Sequence, residues 1–323
     1  MLQRTAGLLI AFAIGVASIA PACAEAPYPN RPIRIVVPFG PGGFADITVR
    51  LLGQKLTERT GATVVIENRP GAGGITAANA VIASEADGYT LFVFSSGIAL
   101  SKSLMKSIPF DPVTAFAPIS TMALFDLLLL VKADSPIHTL KDALEAARTN
   151  PSNFNVGTIN PGSTQNVTGE LLRASAGIPM TVVPHRTSAE VLTALLRGDI
   201  QIGIESYAAL KSAIVAGQIR AIASSGSKRS PQQLDVPTLR ESGIDAAVDG
   251  WNSLVAPAGT PPDVVAFLNR EVRAIIGDGD FQRRMIDLGG IPVTGSPEEL
   301  DARLKSDVAM WADVVKKAGL EPM

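Results

Sequence analysis

Short apolar runs alternate with stretches whose apolar positions recur every three or four residues along most of this chain. "IRIVVP" at 33–38 reads as a strand and is followed by an amphipathic helix predicted from about Asp46 to Thr60, stopped by Gly61. "TVVIEN" (63–68), a helix through "ITAANAVIA" and the aromatic, β-branched run "YTLFVFSS" (89–96) continue the alternation. This βαβαβ order predicts a parallel sheet with crossover helices. A second series starts near Asp126 with "LLLLVK" and alternates through "NFNVGTI", "MTVVPH" and "IQIGIES" to "IRAIASS". From about Trp251, "APAGTPPDVV" opens a helix at its prolines. The helical stretches after it have no sheet of their own, so they are expected to cover the first one. The fold class expected is α/β: two α/β lobes, residues 25–124 with 250–323 and residues 125–249, joined by crossings near 120–130 and 245–255 around a cleft. Ligands of open α/β sheets sit at the carboxyl ends of the strands.

The first residues do not belong to this pattern. Arg4 is the only charge before Glu25, "TAGLLIAFAIGVASIA" is a compact apolar segment, and Ala22-Cys23-Ala24 has small residues where an A-x-A cleavage site needs them. Residues 1–24 are read as a signal peptide cut after Ala24. A retained anchor is disfavoured because the segment is short and ends in Pro21. Cys23 is the only cysteine, so the mature chain has no thiol, which suits a bacterial periplasm better than a disulfide-stapled extracellular module. The formal net charge is −2 and no basic run occurs, which argues against a nucleic-acid partner.

The candidate chemistry lies at the strand ends. Gly42, Gly43 and Asp46 follow the first strand; Ser95 and Ser96 end the third. In the second lobe come Thr158, Gly162, Ser163 and Thr164, then His185 and Arg186, then Glu205. Several of these loops run straight into helices, whose first N–H groups are unpaired and carry about half a positive charge per helix. Hydroxyls add neutral donors. The combination suits a carboxylate, although the same residues also serve as ordinary caps and turns. Asp46 fits either a cap or a contact to a ligand hydroxyl or amine. Glu205 ends an apolar strand and needs a partner, either an arginine such as Arg186 or a ligand group. His185 and Arg186 are either solvated loop charges or a pair that neutralises a second carboxylate.

An enzyme is not expected. Two distant histidines and no mature cysteine leave little for acid–base or nucleophilic work. No Gly-x-Ser-x-Gly or His-Glu-x-x-His motif occurs. "IENRPGAGGITAAN" imitates a dinucleotide loop, but Thr76 stands where the third glycine should be and no acid ends the next strand. No cofactor and no metal is expected.

In this order and spacing, "YPNRPIRIVVPFGPGGFAD", "VVIENRPGAGGITAANAVI", "ADGYTLF", "IPFDPVTAFAPIS", "GWNSLVAPAGTPPDVV" and "WADVVKKAGL" resemble the substrate-binding proteins of tripartite tricarboxylate transporters, the Bug or TctC-like family. The resemblance implies a periplasmic binding protein-like (Venus flytrap) fold that closes on a small organic acid and delivers it to two membrane subunits; a monomer is expected. It also implies that the carboxylate is gripped by Gly42, Gly43 and Asp46, by Ser95 and Ser96, and across the cleft by Gly162, Ser163, Thr164 and Glu205, where the family commonly has Asp. A soluble sensor presenting its loaded form to a membrane receptor is the alternative. The chain departs from the family at Pro184-His185-Arg186-Thr187, often Pro-Tyr-Lys-Gly, at Gly40, often Pro or Ala, and at the "TINPGST" loop stiffened by Pro161.

Overall fold

The computed structural model describes residues 27–229, 235–317 and 319; the expected signal peptide, residues 1–24 with Cys23 and the expected cleavage site, lies outside the described residues. In the first part of the chain β1 (Ile33–Val37) leads to α1 (Phe44–Thr60), β2 (Val64–Asn68), α2 (Ile75–Ile82), β3 (Thr90–Ser95), α3 (Ser96–Leu104) and β4 (Phe116–Phe125). Then follow β5 (Leu127–Lys132), α4 (Leu140–Thr149), β6 (Asn155–Ile159), α5 (Thr164–Ala176), β7 (Thr181–His185), α6 (Ser188–Arg197) and β8 (Ile202–Ser206). After α7 (Tyr207–Val215) and β9 (Ile219–Ser224) come β10 (Gly250–Pro257), α8 (Pro262–Ile276), α9 (Gly279–Asp287), β11 (Gly290–Pro292) and α10 (Pro297–Lys317).

These strands form two sheets, β11-β4-β10-β3-β1-β2 and β7-β6-β8-β5-β9, each clothed in helices. The molecule is therefore two α/β lobes. In the first sheet β1, β2 and β3 are parallel, as the βαβαβ pattern predicts, but β10 runs antiparallel between β3 and β4. The sheet is mixed because β10 returns from the second lobe instead of following a crossover helix. β5 likewise enters the second sheet antiparallel to β8 and β9.

Period-two alternation sorts each strand between two cores. Ile33, Ile35 and Val37 share a cluster with Leu52 and Leu56 of α1 and Val272 of α8. Val36 instead joins Val81 of α2, Ile98 of α3 and Leu300 of α10. Leu128 and Leu130 pack with Leu195 of α6 and Leu210 of α7, whereas Leu127, Leu129 and Val131 join Leu144 of α4 and Leu171 of α5. Each fully buried leucine of this kind contributes about 2 kcal/mol. The last helices do cover the first sheet: α8 and α10 both pack on β4. α1 starts at Phe44, two residues before the sequence-based estimate, and ends at Gly61 in the left-handed conformation (φ 73°).

Only Asp126 separates β4 from β5, and the chain returns to the first sheet at Gly250 after Asp249.

Candidate ligand cleft

Between the lobes lies a narrow cavity. Its walls come from both sides. The first lobe brings Gly43, Phe44 and Ala45 at the start of α1, Ser95 at the end of β3, and Asn252 of β10. The second brings Thr164 and Gln165 from α5, and Arg186, Thr187 and Ser188 from the loop into α6. Phe39, Phe125 and Ile159 add apolar surface. The aromatic walls are set by glycines: a Cβ at Gly250 would lie 2.4 Å from the Phe125 ring, and one at Gly290 2.7 Å from that of Phe44. The two rings meet at 4.6 Å between centroids.

The N-terminus of α1 has no side-chain cap at Gly43, which leaves its first N–H groups available at the wall. Gly42 occupies the turn at φ +84°, which a side chain would strain. Its N–H donates to Asp46 Oδ2 (2.9 Å). Asp46 is buried and fully engaged, accepting also from Arg50 Nε at 3.0 and 3.1 Å and from Asn68 Nδ2 at 2.9 Å. Burial alone would raise this carboxyl, but the bonds from Arg50, Gly42 and Asn68 outweigh it and hold the group below its ordinary value. Asp46 thus braces the loop, and it does not line the cavity.

Ser95 and Ser96 part company. Ser95 faces the cavity with its hydroxyl unpartnered, whereas Ser96 Oγ lies 3.0 Å from Thr164 Oγ1 across the cleft. In the second lobe Thr158, Gly162 and Ser163 build the loop itself. Asn166 Nδ2 donates to Thr158 Oγ1 (3.3 Å), the Gly162 N–H donates to Asn166 Oδ1 (3.1 Å), and Ser163 Oγ caps α5 by accepting from the Asn166 N–H (3.1 Å). Thr164 alone of that group reaches the wall.

Glu205 ends β8 with no exposed surface. Its partner is not Arg186. Oε1 accepts from Gln165 Nε2 (2.9 Å) and the Ser206 N–H (2.6 Å), and Oε2 accepts from Ser188 Oγ (2.7 Å). It stands behind two wall residues and fixes both. His185 is half-buried at the end of edge strand β7, off the wall, with Nε2 unpartnered. Arg186 is on the wall, and its guanidinium pairs with no carboxylate among the described residues.

Phe39, Phe44, Ser188, Gln165 and Asn252 were not singled out from sequence. The first three lie in loops already named, and Gln165 follows one by a single residue. Asn252 could have been found only by reading "GWNSLVAP" as a strand, where a buried amide is out of place. Among the described residues, no carboxylate, imidazole or thiol lines the cavity, and no group of three His, Cys, Asp or Glu could hold a metal ion.

Residues 48–320 match the tripartite tricarboxylate transporter family receptor. The chain belongs to that family. It is 31% identical to protein BugT of Bordetella pertussis over 314 residues, 96% of each chain. It is 34% identical to a Cupriavidus necator protein encoded in the gbd 5′ region, over 95% of this chain and 94% of the other. The periplasmic binding protein BugD superposes with a TM-score of 0.87 at 31% identity, over 92% of this chain and 100% of BugD. An R. palustris protein solved with adipate matches equally well in TM-score, 0.87, at 33% identity over 92% and 100%. MatC from Rhodopseudomonas palustris, solved with bound malate, gives 0.84 at 30% identity over 89% and 100%.

In this family member the lobes are closed on each other, and glycines set how far. A Cβ at Gly97 in α3 would lie 2.9 Å from the Gly162 carbonyl oxygen and 3.1 Å from the Thr164 nitrogen. One at Gly73 would lie 3.0 Å from the Pro161 carbonyl oxygen. The loop that imitates a dinucleotide fingerprint is thus used for backbone approach between lobes. The changed positions 40 and 187 also meet: a Cβ at Gly40 would sit 2.9 Å from Thr187 Cγ2. On the outer rim Lys211 Nζ of α7 donates to Asp287 of α9, at 2.6 Å to Oδ2 and 2.9 Å to the carbonyl.

Proposed function

We propose that the protein is a periplasmic solute receptor that closes on a small organic carboxylate and hands it to the two membrane subunits of a tripartite transporter. The observation that carries this reading is the composition of the interlobe wall. Among the described residues it combines an uncapped helix N-terminus, hydroxyl and amide donors, and an arginine with no carboxylate partner, and holds no carboxylate or imidazole. Binding without turnover is the function such a wall supports. Adipate and malate in the solved relatives point to the same ligand class. On this reading the lobes, 25–124 with 250–323 and 125–249, rotate about crossings at Asp126 and Asp249. Gly43, Thr164, Gln165 and the Ser188 N–H hold one carboxylate, Ser95 faces the ligand beside it, and Arg186 at the mouth takes a second acidic group. Gly42, Asp46, Thr158, Gly162, Ser163 and Glu205 shape the loops that present these donors, and Ser96 seals the closed form through Thr164.

A thermal-shift screen of residues 25–323 against mono-, di- and tricarboxylates tests the ligand class. An acid at a hundred times its Kd should add about 2.7 kcal/mol, a clear rise in melting temperature. Turnover of the bound acid, seen by mass spectrometry, would sink the receptor reading. Uptake of that acid should also fall in cells lacking this chain.

Closure has its own test. Gly97 lies in the first turn of α3 without positive φ, so Gly97→Ala is compatible with the helix and should leave the unliganded protein at least as stable. In the closed form the new methyl would press on the Gly162 carbonyl. Affinity for the acid is expected to fall about tenfold to a hundredfold. Calorimetric titration showing unchanged affinity would mean that the tight closed form is not the bound one.

A further inference from the structure

Asn252 and Ser95 stand side by side on neighbouring strands, paired in the antiparallel ladder of β10 and β3. Both are buried, at 1% exposure each, and both line the cavity. Among the described residues, the Asn252 amide finds no hydrogen-bond partner for Oδ1 or Nδ2, and Ser95 Oγ finds none either. Buried polar atoms are rarely left so, because each forfeits its hydration without recovering a bond. Ser253, next along β10, shows the ordinary outcome: its hydroxyl donates to the Phe94 carbonyl at 3.2 Å. Three orphaned atoms on one patch of a ligand cavity make a recognition surface of defined polarity.

Building on the receptor reading above, we infer that Asn252, with Ser95, selects acids carrying a hydroxyl substituent over the corresponding plain acids. The argument is one of donor and acceptor counting. A carboxylate only accepts, so it would satisfy Nδ2 and the serine hydroxyl and leave Oδ1 facing negative charge. An ammonium only donates and leaves Nδ2 unpaired. A hydroxyl donates to Oδ1 and accepts from Nδ2 or Ser95 Oγ at once. Because both ends of the amide are orphaned, the conclusion does not depend on which way round it is placed. Sites built to bond a substrate hydroxyl discriminate strongly against the analogue lacking it, since the site's own groups are then stranded.

The test is calorimetric titration of the full mature chain with matched pairs: succinate against malate, glutarate against 2-hydroxyglutarate, and adipate against 3-hydroxyadipate. The hydroxylated member of at least one pair is expected to bind about tenfold or more tightly. Asn252→Leu should bring that ratio close to one. Ser95→Ala, a smaller change that spares the fold should the leucine disturb it, should lower the ratio several-fold. Acids that bind wild type with no preference for the hydroxyl, or a preference that survives both substitutions, would overturn the inference and leave the receptor reading standing. Binding by neither member of any pair, nor by any acid of the wider screen, would remove that reading and the inference with it.

Discussion

Glu205→Ala is expected to cost the protein on the order of 3 kcal/mol or more and to abolish tight ligand binding. The carboxylate is wholly buried and accepts three hydrogen bonds, from Gln165, Ser188 and the Ser206 N–H. Removing it strands three donors where water cannot simply replace it, each at about 1–3 kcal/mol, though such costs do not add fully. It also opens a void between β8 and the starts of α5 and α6. Gln165 and Ser188 line the cavity, so their release loosens the second lobe's share of the wall, and affinity should drop well beyond tenfold. Glu205→Gln keeps the shape and one acceptor. Ser188 can turn its hydroxyl to accept from the new amide, so the loss should be about 1 kcal/mol. Urea titration and calorimetry on both variants decide the matter: an alanine variant within about 1 kcal/mol of wild type would mean the network is not the brace described here.

That role was hidden in the sequence, and the reason is general to this fold. Alternating apolar and helical periods were enough to place β1, α1, β5 and their neighbours, because those elements have clean boundaries such as Gly61. β4 and β10 were not foreseen. "FAPISTMALF" contains Pro118, which argues against a central strand, yet Pro118 lies opposite Val255, where the ladder between β4 and β10 slips register. "GWNSLVAP" is buried at every position, so no alternation betrays it, and its two polar residues look like a loop. α3 was masked by its shortness and by Gly97, whose presence answers to the opposing lobe and not to the helix. Four loops named from the strand ends do meet at one cavity. Which side chains face it was not legible, since that depends on local turns: Asp46 folds back onto Gly42, Glu205 tucks beneath Gln165, and Asn252 enters only through the strand order.

Asp126→Asn is expected to stabilise the protein at neutral pH and to flatten part of its pH profile. Asp126 is the one residue between β4 and β5, buried to 9% exposure, and Gly226 packs so closely that a Cβ there would lie 2.7 Å from its carboxyl. Burial, and then the charge of Asp249 at the other crossing, push this carboxyl from an ordinary 3.8 up to about 6. Asp249 is itself exposed and accepts from the Ser227 N–H at 2.9 Å. Lys228, Arg229 and Arg303 border the same depression. Arg229, however, is paired with Asp235 and Glu241, and the cations do not offset the desolvation. A folded-state pKa above the unfolded one means that the native protein binds the extra proton between about 4 and 6. The stability this group confers is complete below pH 4, is lost as pH rises through 6, and stays lost above 7. The full gap corresponds to roughly 3 kcal/mol, of which asparagine should recover about 2 at pH 7.5. For a chain of this size that is a rise in melting temperature of about 3 °C. At pH 4.5 the advantage should vanish, since wild type is by then protonated. Calorimetric scans of both proteins from pH 4.5 to 8 supply the comparison, and parallel profiles across that range would show that Asp126 is not the titrating group. Both crossings carry an acid, so ionisation of Asp126 places like charges at the two points where the chain passes between the lobes.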